Sequence, residues 1–264
     1  MEIIEPEKVA ENKDPGVVRV LIGFPHEGMT GSEAYCNRLA NMKHLGHLEE
    51  RGKLNGEVPR FEFYQKTCGR MHVHVARDEM AKTALQADCD YLFMIDDDMI
   101  SPDDLFEKLY ESKKDIIAPL AFTRNFPHKP VIYSCVEGWD SVNQVEHFTN
   151  YAVMNYPKDQ LAQVDAVGFG AVLINVECFK KMKSPWFMNP YKTGEDINFC
   201  YEASKYGFKT WVDTRLKLGH ISHPLIITEE YVTQQWKQHG MEIEKRYGKP
   251  QRINGQNPVL ALGE

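Results

Sequence analysis

The sequence has no long apolar run, no paired cysteines and no excess of positive charge, and each absence closes off a class of protein. None of its apolar stretches approaches the ~18–20 residues that a helix needs to cross a bilayer, so no membrane span is expected. Six cysteines (Cys36, Cys68, Cys89, Cys135, Cys178 and Cys200) stand singly, without a C-x-x-C pair. That spacing argues against a zinc knuckle or a disulfide scaffold and points to a reducing, cytoplasmic setting. The opening MEIIEPEKVAENKDPG is acidic and lacks the apolar core of a secretory signal. Lys and Arg number 31 against 38 Asp and Glu, a formal charge of −7, which gives no bulk attraction to nucleic acid. Internal repeats and low-complexity tracts are also missing, which excludes solenoids. What is there is 264 residues, 42% hydrophobic and 26% charged, enough to bury the core of one large globular domain.

After a charged lead-in (1–16), the chain alternates strand and helix. VVRVLIGF (17–24) reads as a buried strand ended by Pro25, and Ser32 as the cap of a helix with Leu39, Met42, Leu45 and Leu48 on one face. RFEFYQ (60–65) alternates like a strand. Residues 74–87 carry Ala76, Met80, Ala84 and Ala87 at helical spacing. YLFMI (91–95) and DIIAPLAF (115–122) are short apolar runs suited to a central sheet, separated by a helix that Ser101 and Pro102 open. Strands at 130–136, 167–175 and 209–213, edge pairing at 145–155, short helices after 175 and from Thr193, and a polar helix over 228–247 complete the pattern. No linker separates 17–122 from 123–223, so we expect one α/β domain over 17–223 with a parallel sheet between helices, followed by a terminal helix and tail (224–264).

Chemistry concentrates at a few points. Asp96, Asp97 and Asp98 follow YLFMI directly, on the rim where parallel sheets bind ligands. Three adjacent carboxylates repel one another unless a cation offsets them, and hard oxygen donors suit Mg2+ or Mn2+ with substrate phosphate oxygens. A solvated turn is the plain alternative, but Ser101 already serves as the cap. Glu195 and Asp196 open a helix after Thr193, either as a capping arrangement or as a proton acceptor. His220 and His223 follow Gly219; imidazole binds divalent metals, though a lone histidine after a strand is more often structural. Arg77 could grip a diphosphate with its planar fork or simply lie exposed on its helix. Gly168-Phe169-Gly170 interrupts an apolar run, as where backbone approaches a ligand; no P-loop spacing accompanies it.

In this order the elements resemble the GT-A-fold, D-x-D-containing glycosyltransferases, the family-two-like sugar transferases of bacteria and viruses. The likeness runs through VLIGFP (20–25), VARDEMAKTALQADCDYLFMIDDDM (75–99), VDAVGFGAVLINVECFKKM (164–182), GEDINFCYEASKYGFKTWVD (194–213) and LGHIS (218–222). It implies a Rossmann-like single domain with a mixed, mostly parallel sheet flanked by helices, 17–122 binding nucleotide and 123–223 carrying acceptor and catalysis. It further implies that Asp98, with Asp96 and His220, binds Mn2+ or Mg2+, and that Pro25, Arg77, Asp96, Asp97 and Gly168 to Gly170 contact the donor. Asp196, in the Glu195-Asp196 pair, takes the place of the base of inverting members. Where those enzymes carry a small residue, Arg and Asn, this chain has Ala76, Arg77 and Asp78. The implied reaction moves a sugar from a nucleoside-diphosphate sugar to a hydroxyl of a saccharide, protein, metabolite or, less favoured, a modified DNA base. The setting would be the cytoplasm, the host's if the source is viral. A nucleotidyltransferase acting on a sugar phosphate is the nearest rival, yet FPHEGMTGSE lacks the cations that grip a triphosphate. A non-catalytic carbohydrate-binding protein would not need Asp98, Asp196 and His220 together. The basic stretch KRYGKPQR (245–252) could touch phosphate or be merely solvated.

Overall fold

The computed structural model describes residues 13–26, 31–54, 56, 58–140, 145–188, 193–222, 225–247, 251–252 and 258–259. Most of the lead-in, His223 and residues 248–250 of the basic tail lie outside the described residues. The elements in chain order are β1 (Val17–His26), α1 (Ser32–Leu54), β2 (Arg60–Gly69), α2 (Val73–Gln86), β3 (Tyr91–Ile95), β4 (Met99–Ile100) and α3 (Leu105–Glu111). There follow β5 (Ile116–Leu120), β6 (Ile132–Asp140), β7 (Val145–Ala152), β8 (Leu161–Val164), β9 (Ala166–Val167), β10 (Ala171–Asn175) and α4 (Glu177–Lys181). Then come α5 (Glu195–Lys205), β11 (Thr210–Lys217), β12 (Gly219–Ser222), β13 (Leu225–Ile227) and α6 (Glu229–Tyr247).

A seven-stranded sheet in the order β2-β1-β3-β10-β5-β11-β8 forms the centre. Strands β1, β2 and β3 run parallel, β10 is antiparallel to both β3 and β5, and β8 is antiparallel to β11. The mixed, mostly parallel sheet that the motif order implied is therefore present. Period-two alternation divides its side chains between two apolar layers. In β3, Leu92 and Met94 face α2, α4 and α5, while Phe93 and Ile95 face α1 and α3. The small residues Ala76, Ala81 and Ala84 let α2 lie close over β1 and β3. Among the described residues no helix is long and apolar enough to cross a membrane.

Several boundaries differ from expectation for identifiable reasons. Strand β1 continues through Pro25 to His26, because beyond Gly23 its only sheet neighbour is β2 and a residue without an N–H is tolerated there. Leu39 points to solvent, and α1 packs through Leu45 and Leu48. Ser32 lies within α1, its hydroxyl bonding Glu33. Ser101 does not cap α3, which starts at Leu105 without a side-chain cap. Instead Asn37 and Asn41, one turn apart on α1, clamp the backbone and hydroxyl of Ser101 at 2.8–2.9 Å. The run 167–175 is two strands, β9 and β10, broken at Gly168-Phe169-Gly170 and assigned to different sheets.

Candidate active site

Strand order reverses beside β1, with β2 on one side and β3 on the other. Such a switch point leaves a crevice at the carboxyl ends of the strands. A cleft of about 560 Å³ lies there, lined by Pro25 and His26 from the end of β1, by Asp96, Asp97 and Asp98 after β3, and by Arg124. Gly69, at the end of β2, makes room for the His26 ring: a Cβ there would stand 2.2 Å from the imidazole.

The acids are placed by two separate devices. The first is a small sheet in which β12 pairs with β13 and, through Gly219↔Ile100 and His220↔Met99, with β4 immediately after the acids. Ile221 N–H donates to the Asp98 carbonyl at 2.9 Å. This ladder brings His220 Nε2 to 3.1 Å from Asp98 Oδ2. His220 Nδ1 lies 2.7 Å from the Phe122 carbonyl, an acceptor, so Nδ1 is the donor. In a neutral ring Nε2 then carries the lone pair that faces the carboxylate, so the contact is favourable either with the ring protonated, as a charged donor, or with a cation between the two groups. Burial pushes the Asp98 carboxyl up, but His220 and Arg124, whose Nη1 is 3.3 Å away, outweigh it and the net shift is downward.

The second device is Arg77. It is not an exposed helix arginine: its side chain is 3% exposed. Its Nη2 donates to both Asp96 oxygens at 3.0 and 3.1 Å and to the Phe169 carbonyl at 3.1 Å, and its Nη1 donates to Glu195. Burial alone would lower the guanidinium pKa; Asp96, Glu195 and Asp196 reverse that, and the arginine stays charged. Burial raises the Asp96 carboxyl to about 6 despite Arg77, and does the same for Asp196, whose oxygens accept from Ile197 N–H at 2.8 Å and Phe169 N–H at 3.3 Å. Thr193 takes no part in a cap: α5 begins after Gly194 without a side-chain cap, and the buried Thr193 Oγ1 has no hydrogen-bond partner among the described residues.

The Gly168-Phe169-Gly170 turn is the hinge between these parts. Close approach dictates Gly168, where a Cβ would stand 2.8 Å from Val131 Cβ, whereas a Cβ on Gly170 would meet only the movable end of the Met99 side chain, at 2.7 Å. The Gly170 carbonyl accepts from Asp96 N–H, and Phe169 offers its carbonyl to Arg77 and its N–H to Asp196. Pro25, Asp96, Asp97 and Asp98 thus border the cleft, while Arg77, Gly168 to Gly170, Glu195 and Asp196 form a layer that is not part of its lining.

No family model matches the sequence, and no curated protein matches it. Among solved structures the chain is similar to A197 from STIV, with a TM-score of 0.54 and 18% identity over 81% of this chain and 92% of that one. It is also similar, more distantly, to GalNAc-T7 with UDP, GalNAc and Mn2+ (TM-score 0.47, 13% identity, 89% of this chain and 51% of that one). The likeness to A197 from STIV is one of fold.

In this site the three residues named for metal binding do not gather as a set. Asp98 and His220 meet, whereas Asp96 turns to Arg77, and among the described residues no group of three or more His, Cys, Asp or Glu could hold a metal ion. One carboxylate and one imidazole whose far nitrogen is tied to a carbonyl nevertheless suit a divalent ion that takes its other ligands from water and phosphate. Sequence reasoning did not single out His26, His72 or Arg124 as lining residues. For Arg124 a signal existed, because it lies just past the carboxyl end of β5, on the same rim as the acids.

Proposed function

We propose that the chain is a nucleotide-sugar-dependent glycosyltransferase that moves a sugar from a nucleoside-diphosphate sugar to an acceptor hydroxyl. The observation that carries this reading is the Arg77 junction, which ties the acidic rim of the cleft to the Glu195-Asp196 pair at the head of α5. One buried cation thereby joins Asp96, the acid assigned here to the donor, to Glu195, the chain neighbour of the acid assigned to proton acceptance.

In this reading Pro25 and Asp97 border the nucleotide, and Asp98 with His220 would hold Mn2+ or Mg2+. When bound, that ion supplies Lewis acidity toward the departing diphosphate. Asp196 accepts the proton of the acceptor hydroxyl as its oxygen attacks the anomeric carbon; the bond from that carbon to the diphosphate oxygen breaks, and the configuration inverts. A partly buried carboxyl near 6 is ionised at neutral pH yet basic enough to take a proton. Arg77 fixes Asp96 and Glu195, while Asp196 has no direct ion pair among the described residues. The acceptor is a hydroxyl of a saccharide, protein or metabolite, and the −7 charge disfavours a DNA base.

The test is a panel of nucleotide-sugars with Mn2+ or Mg2+, read by thermal unfolding and by sugar release. A single UDP- or GDP-sugar is expected to raise Tm progressively with concentration, only with metal, and to be hydrolysed slowly. No stabilisation and no hydrolysis across the panel would sink the reading, and stabilisation by a nucleoside triphosphate alone would favour nucleotidyl transfer.

A further inference from the structure

The loop between β5 and β6 is built rather than loose. Phe122 pairs with Pro130, Thr123 N–H donates to the Lys129 carbonyl at 2.9 Å, and the buried His128 ring lies 3.1 Å from the Thr123 carbonyl. From outside the catalytic half, the Trp236 indole of α6 donates to the Pro127 carbonyl at 2.7 Å and pins the loop to the terminal helix. The loop carries Arg124 into the cleft wall, with its side chain 57% exposed and, among the described residues, a single ion pair, to Asp98.

We infer that Arg124 binds the diphosphate of the nucleotide, gripping phosphate oxygens from the wall of the cleft that it lines with Asp98. This rests on the nucleotide-sugar reading above. Arg124 and His220 approach the same carboxylate oxygen, Asp98 Oδ2. A divalent ion on Asp98 and His220 would place a second positive centre beside the guanidinium, and two cations around one carboxylate favour a multidentate anion that bridges them. Arg124 is the one Lys or Arg among the described lining residues, and its planar fork suits two oxygens of a phosphate. Trp236 would act as a positioning residue, by holding the loop.

Isothermal titration of the full chain with UDP, GDP, ADP, CDP and TDP in Mn2+, with the matching nucleosides and with Mn2+ alone, tests the inference. Arg124→Ala should weaken the diphosphate that wild type binds by about ten- to a hundredfold, leaving nucleoside and Mn2+ affinities unchanged, and Arg124→Lys should recover part of the loss. Trp236→Phe should give a smaller loss on the same ligand only. An unchanged diphosphate affinity in Arg124→Ala overturns the role while the nucleotide reading stands. An equal loss for Mn2+ alone also overturns it, because Arg124 would then act through Asp98. Failure of wild type to bind any of the five diphosphates removes the nucleotide reading and this inference with it.

Discussion

Arg77 concentrates the residue-scale energetics, since one buried guanidinium serves Asp96 and Glu195 directly and Asp196 through space. Removing it leaves partly buried carboxylates without their counter-charge, so Arg77→Met should lower unfolding free energy by about 2–3 kcal/mol, measurable by urea denaturation at neutral pH. At mildly acidic pH, where Asp96 and Asp196 protonate, the loss should shrink. Asp196 gives a separate prediction. Its folded pKa, about 6, lies above its ordinary value of 3.8, so its ionisation costs stability as pH rises from about 4 through 6. The same ionisation is needed for proton acceptance. Transfer should therefore fall as pH drops through about 6 while stability rises, and Asp196→Asn should abolish transfer with donor affinity retained. Near wild-type transfer by that variant would refute the base assignment.

At the scale of elements, the start of α6 shows the opposite sign. Glu229 accepts from Lys158, Lys217 and Tyr156, with Lys158 and Lys217 reaching it at 2.6 Å. Burial opposes the shift, but these three partners bring its carboxyl from 4.5 down to about 2. Its contribution to stability is therefore full above about pH 4.5 and is lost as pH falls toward 2. Wild type and Glu229→Gln should differ most in urea midpoint above pH 4.5 and draw together as pH falls from there toward 2; parallel profiles would show that this cluster does not anchor the helix. The anchor has a functional side, because α6 also holds the loop that bears Arg124. Asp78 makes a similar tie, accepting from the Trp186 and Phe187 N–H groups at 2.9 and 3.0 Å and so fastening the segment before α5 to α2.

At the scale of the whole molecule, the sequence announced what depends on neighbours in the chain. Apolar runs such as YLFMI gave the strands, Ala76, Met80 and Ala84 gave the buried face of α2, and the abrupt change to Asp96 gave the rim of the sheet. The absence of long apolar runs agrees with the lack of a membrane-crossing helix among the described residues. Periodicity could not show that Ser101 belongs to Asn37 and Asn41 rather than to a helix cap, or that β10 inserts antiparallel between β3 and β5. Nor could it show the partner of any charge. Asp98 and His220 are 122 positions apart and Arg77 and Glu195 118 apart, and such pairs meet only through the pairing of β12 with β4 and the folding of α5 behind the Gly168-Phe169-Gly170 turn. Local composition sets which segments are strands, helices and acidic rims, because those preferences act over a few residues. Which acid receives a histidine and which a buried arginine was decided by tertiary structure alone, because burial and charge pairing depend on distance in space.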